Sequence, residues 1–139
     1  MKAKELMIGD WVKVIEPDRY AGAQGTILSL TSQEGGYYEI NISDVNYGYL
    51  TTDIFNEDIE PIPITKEILE KNGFEKDARN ESYYKWNWYI LQDNVSYDME
   101  TGIVRLFKVS DLTFCHPIGY VHELQHALRL CEIDKEIVL

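Results

Sequence analysis

Apolar and polar residues alternate along much of this chain, and the alternation predicts short strands before it predicts anything else. Over 10–15, Trp11, Lys13 and Ile15 fall on one face of an extended segment and Val12 and Val14 on the other. Over 37–42, Tyr38, Ile40 and Ile42 point one way, and Glu39 and Asn41 the opposite way. With 24–31 and 48–55 this makes four or five short strands in the first sixty residues. Gly35 and Gly36 lie between two of them and suit a hairpin, because glycine accepts the positive φ of a tight turn. Gly22 and Gly25 bracket another turn. So many short strands in so little chain predict a small, strongly bent sheet of the SH3-like β-barrel kind, since closure removes exposed edges.

The period changes at Pro61 and Pro63, where prolines deny ladder hydrogen bonds and mark a linker or a terminal edge strand. The boundary falls there, giving an SH3-like β-barrel over 1–62 and an α+β domain over 63–139. Thr65 is a suitable N-cap for a helix over 66–71, with Glu67 in its first turn, Asn72 and Gly73 as its stop, and Ile68 and Leu69 facing inward. Phe74 tucks back beneath it. A strand over 82–92 follows, in which Tyr84, Trp86, Trp88 and Ile90 alternate with Tyr83, Lys85, Asn87 and Tyr89, and the Tyr84/Trp86/Trp88 face is assigned to the core. Strands over 95–97 and 103–109 are joined by a turn at Glu100, Thr101 and Gly102, and a helix over about 119–131 closes the pattern. The expected class is α+β, with a second sheet of about three strands packed by two helices and no internal repeat.

The 139 residues are 45% hydrophobic, enough for a folded core, and carry 24 acidic against 13 basic side chains for a net charge of −11. That charge disfavours phosphate backbones and anionic lipid surfaces, so neither nucleic acid nor membrane is the expected partner. The imbalance is steepest early: residues 1–62 hold four Lys/Arg and eleven Asp/Glu. No stretch approaches the apolar length of a membrane span, and the apolar run near the start is too short for an export signal. Cys115 and Cys131 are then expected as reduced thiols of a cytoplasmic protein, with a disulfide as the alternative.

The one motif with named chemistry is His122-Glu123-Leu124-Gln125-His126, an H-E-x-x-H segment in which His122 and His126 would hold zinc and Glu123 would act as general base. At about 100° per residue, His126 lies about 40° and Arg129 about −20° from His122, while Leu124, Ala127, Leu128 and Cys131 cluster opposite. The same pattern describes an ordinary amphipathic helix with its histidines on a solvated polar face and an apolar stripe for a core or a homodimer seam. Catalytic zinc needs a third ligand and an enclosed cleft. In the resemblance to metzincins the motif would continue with glycine at the position of Arg129 and histidine at that of Glu132, and both differ here. A thermolysin-like third ligand would need a further helix, and only thirteen residues follow His126. His116 is the remaining candidate. Cys115 beside His116 resembles a nucleophile with a base, but neighbours on an extended segment point to opposite faces, so a buried cysteine is expected.

The aromatic residues supply the other candidates. Tyr83, Lys85 and Tyr89, on the face opposite the assigned core, offer a stacking surface for a sugar, base or peptide. Tyr37, Tyr38, Tyr47 and Tyr49, around the hairpins of the first domain, serve either packing or a ligand-facing surface.

Leu6-x-x-Gly9-Asp10-Trp11-Val12, then Pro61-Ile62-Pro63-Ile64-Thr65 leading to Asn72-Gly73-Phe74, and Tyr120-Val121-His122-Glu123-Leu124-Gln125 together resemble a group of uncharacterised small proteins of Bacteroidetes bacteria and their phages or mobile elements. In that group the closing helix reads V-H-x-L-Q, and the positions of Glu123 and His126 are not fixed. The resemblance implies that the zinc motif is completed here by chance, and it supplies no activity. The expected function is a non-catalytic protein-interaction or accessory module that needs no cofactor. The alternatives are a small zinc-dependent hydrolase built on His122, His126, His116 and Glu123, and an acidic DNA mimic or host-factor inhibitor.

Overall fold

The computed structural model describes all residues except 17, 45–47, 51–53 and 90, and only the backbone at 3, 44 and 48–50. Backbone contacts divide the chain into two units, Met1–Ile62 and Pro63–Leu139. The architecture is α+β: two antiparallel five-stranded sheets and two α-helices. No described helix is long and apolar enough to cross a membrane.

The first unit holds β1 (Trp11–Val14), β2 (Gln24–Ser32), β3 (Tyr38–Asp44), β4 (Gly48–Leu50) and β5 (Ile59–Pro61), in the order β4-β3-β2-β1-β5. Alternation decides which face is buried: Val12 and Val14 of β1 and Ile40 and Ile42 of β3 are sealed, and Ile27, Ile54 and Ile59 pack with them. Full burial of each such side chain stabilises by about 1.5–3 kcal/mol relative to exposure. Gly35 and Gly36 both sit at φ +81° between β2 and β3, as a tight turn requires. Gly25 differs from expectation. It lies inside β2, opposite Val12 and Asp44, where a Cβ would collide with the Ser43 carbonyl; close strand approach, not a turn, demands glycine there. The expected strand over 48–55 is realised in β4, while 51–53 lie outside the described residues. Phe55 then bridges to Glu39, and a single 3-10 turn over Asn56–Asp58 leads into β5.

The second unit runs α1 (Lys66–Lys71), β6 (Glu75–Lys76), β7 (Tyr83–Trp86), β8 (Asn94–Asp98), β9 (Ile103–Lys108), β10 (Asp111–Pro117) and α2 (Val121–Leu130), its sheet a meander in the order β10-β9-β8-β7-β6. The Thr65 Oγ1 accepts from the Ile68 N–H at 3.3 Å, and Leu69 and Phe74 are buried as the helix pattern requires. Two expectations fail. The sheet has five strands, because the segment through Cys115, His116 and Pro117 pairs along β9 and a two-residue strand is added at the other edge. The expected strand over 82–92 stops at Trp86, since Asn87 turns into the left-handed region at φ +52°. Asparagine tolerates that conformation better than most residues, and it throws Trp88 out of the core, where it is half exposed. The buried face of the sheet is instead Tyr84, Val95, Tyr97, Val104 and Leu106, and Val121, Leu124, Ala127 and Leu128 of α2 complete this unit's core.

Of the stripe expected as a homodimer seam, Leu124 and Leu128 are buried and Cys131 is half-buried. The chain after α2 is strapped down by Asn72, whose Nδ2 donates to Ile68 O (2.8 Å) and Val138 O (2.7 Å) while its Oδ1 accepts from the Val138 N–H (2.8 Å).

Candidate functional site

The H-E-x-x-H segment forms the first two turns of α2, yet its surroundings differ from the expected solvated face. His122 is only 6% exposed and Gln125 is buried too. The Tyr120 ring stacks on His122 at 6.0 Å, and the His126 ring meets it edge-on at 5.5 Å, so His122 sits between two rings. The helix is buried around most of its circumference, and its accessible positions narrow to Glu123, His126, Arg129 and the exposed Leu130. The two histidines do lie one turn apart. Glu123, however, turns back over the helix start: its Oε2 accepts from the Gly119 N–H (2.8 Å) and the Tyr120 N–H (3.1 Å), the reciprocal half of a capping box. A carboxylate held in that way neutralises orphan donors at the N-terminus of α2. His116 lies on β10 opposite Val104, with the Phe114 ring 6.1 Å away. Among the described residues no three His, Cys, Asp or Glu side chains are grouped to hold a metal. Cys115 is exposed, not buried as expected, because it lies on the outward face of β10 opposite Arg105; Cys131 is half-buried, and both thiols are free.

The aromatic candidates separate into two places on the second unit. Tyr83 stays on the sheet, half-buried, its hydroxyl accepting from Arg105 Nη1 at 2.9 Å. Tyr89 leaves with the loop that Asn87 starts and is exposed. Between them Lys85 pairs with Asp77 at 2.6 Å and lies 4.5 Å from the Trp88 ring centre, so its ammonium holds the Asp77 carboxyl below the usual carboxylate range. A groove of about 520 Å³ runs past Asp77, Lys85, Trp86, Asn87, Trp88 and Tyr89.

Sequence reasoning missed the continuation of this surface. Trp88 packs edge-on against Phe107 at 5.9 Å, and Leu112 stands opposite Phe107 on the next strand. Leu91 and Val109 adjoin them through cross-ties: the Leu91 N–H donates to Ser110 Oγ (3.1 Å), and the Val109 N–H donates to Asp93 Oδ1 (3.1 Å). Trp88, Tyr89, Leu91, Val109 and Leu112 are each at least half exposed. Beneath them the backbone is left-handed at Asn87, Leu91, Val109 and Ser110, none of them glycine. For a β-branched residue such as Val109 that conformation is strained, and strain of this kind gathers where a surface has a task. The Asn87 signal was readable; the turn at Val109 and Ser110 lacks the glycine or asparagine that two successive positive φ values favour.

In the first unit, Tyr37 is exposed and lines a smaller groove with Phe55. Tyr38 is half-buried. Tyr49 sits in β4 opposite Ser43, and Tyr47 lies outside the described residues. No known family, curated protein or solved structure matches the chain.

Proposed function

We propose that the protein is a non-catalytic interaction module whose second unit docks a protein partner through the apolar tip around Trp88. The observation that carries this reading is five large apolar side chains, each at least half exposed, four of them on two cross-tied loops and the fifth, Leu112, at the start of the adjoining strand β10. Contiguous exposed apolar surface of this kind marks interaction sites on proteins that otherwise bury it. The ties matter as much as the exposure. Asp93 accepts from the Val109 N–H and pairs with Lys108 at 3.4 Å, and its carbonyl accepts from Asn87 Nδ2 at 2.7 Å, so the tip is preorganised and loses little entropy on binding. A net charge of −11 favours a protein over an anionic membrane as the covering surface.

In the same proposal the first unit is a small SH3-like barrel. Its strand order β5-β1-β2-β3-β4, with a single 3-10 turn ahead of β5 and extra bonding of β3 to Ile54 and Phe55, supports that reading.

The test is site-specific photo-crosslinking in cells, with a benzophenone side chain at Tyr89 or Leu91 and a control at Leu130, which is exposed on α2. A discrete protein adduct from 89 and 91 but not from 130 is expected. Equal adducts from all three positions, or none from the tip, would overturn the reading.

A further inference from the structure

The groove of the first unit has a chemistry unlike that of the tip. Its two walls are the turn between β2 and β3 and the segment from Phe55 to Asp58, and it encloses about 350 Å³ among Gln33, Glu34, Tyr37, Phe55, Glu57 and Asp58. The walls are fixed to each other. The Gln33 N–H donates to Tyr37 O (2.8 Å), the Tyr38 N–H donates to the Oδ1 of buried Asn56 (2.9 Å), and Phe55 bridges to Glu39. Asp58 Oδ2 accepts from the Phe55 N–H at 2.8 Å, which sets the start of the second wall. Two aromatic rings thus stand beside three carboxylates, of which Glu34 and Glu57 are exposed, and none of the six lining residues is basic.

We infer that this groove docks an arginine-bearing extended segment of a partner protein. Ring faces carry negative electrostatic potential, and a planar guanidinium can stack on them while its N–H fork pairs with carboxylates, which a compact ammonium does less well. A neutral side chain would leave Glu34 and Glu57 without a counter-charge, and an acidic one would be repelled. The field of the whole unit acts in the same direction, with eleven acidic and four basic residues over 1–62. The volume is at the low end of that of small-ligand pockets, which fits one or two side chains of an extended strand rather than a folded domain. The inference goes beyond the apolar tip and does not depend on it.

An NMR titration of the intact ¹⁵N-labelled protein tests this, using a blocked Gly-Arg-Gly-Arg-Gly peptide and the same peptide with citrulline, which keeps the planar shape and loses the charge. Amide shifts confined to residues 33–37 and 55–58 are expected with the arginine peptide and not with citrulline. The E34Q/E57Q double variant should bind about fivefold more weakly and Y37A less tightly than Y37F, in line with exposed ion-pair and cation–π strengths. Because Glu34 and Glu57 are exposed, these variants keep the fold, which an unchanged spectrum elsewhere checks. Three results would overturn the inference: no shifts at millimolar peptide, equal binding of the citrulline peptide, or shifts spread over acidic residues of both units that the E34Q/E57Q variant does not change.

Discussion

Asn72 is where a single side chain holds a whole segment in place, and Asn72→Ala isolates that role. The side chain is buried and makes three hydrogen bonds, one to the last turn of α1 and two to Val138. Each is worth about 1 kcal/mol net, so the upper bound on their loss is about 3 kcal/mol. Val138 is 44% exposed, so water can replace both of its lost partners, and the Ile68 carbonyl keeps the bond it accepts from the Asn72 backbone N–H at 3.1 Å. The expected destabilisation of the second unit is therefore about 2 kcal/mol. With a urea slope of about 1–3 kcal/mol per molar, the midpoint should fall by about 1 M. Tryptophan fluorescence can follow it, because Lys135 of the strapped segment lies 5.4 Å from the Trp86 ring centre. Amide exchange gives the local readout: the Val138 N–H, bonded to Asn72 Oδ1, should lose protection in the variant. A midpoint shift below about 0.2 M with the Val138 amide as protected as before would refute the claim that these bonds anchor the segment.

Two further outcomes follow from the geometry. The Tyr97 hydroxyl donates to Ile118 O at 2.9 Å, and burial, with the charges of Glu123 and Asp98, raises its pKa above the ordinary 10.0. The unfolded chain then releases this proton at a lower pH than the folded one, so the stability is complete below pH 10 and declines as pH rises through the raised folded value; a pH series of urea midpoints should show that alkaline decline, and Tyr97→Phe should flatten it. Glu123→Ala removes two acceptor bonds to the start of α2 and should cost about 1 kcal/mol, while Glu123→Gln, which keeps an acceptor oxygen, should cost less; zinc retained tightly by the native protein and lost in a His122→Ala/His126→Ala variant would contradict the capping role.

Much of the local structure was legible because it rests on short-range rules. The Val12/Val14 and Ile40/Ile42 faces follow from a period of two, and α1 follows from Thr65, Glu67 and the Asn72-Gly73 stop. The two glycines of the β2–β3 turn follow from their freedom at positive φ. What the sequence left open depended on neighbours distant along the chain. Whether Gly25 marks a turn or a close strand contact is decided by Ser43, eighteen positions later. Alternation carried Trp88 into the core, and one left-handed residue at Asn87 took it out, because a single backbone reversal resets which face every later side chain joins. The wheel of α2 set His122 and His126 on one side correctly, but it did not show that His122 would be buried, with the Tyr120 and His126 rings against it, and Glu123 became a cap because its carboxylate reached the donors of Gly119 and Tyr120. Sequence by itself determined periodicity, caps and charge; only the tertiary structure decided which aromatic rings are spent on packing and which are held out to solvent, since that choice depends on which surfaces the folded chain has left to cover them.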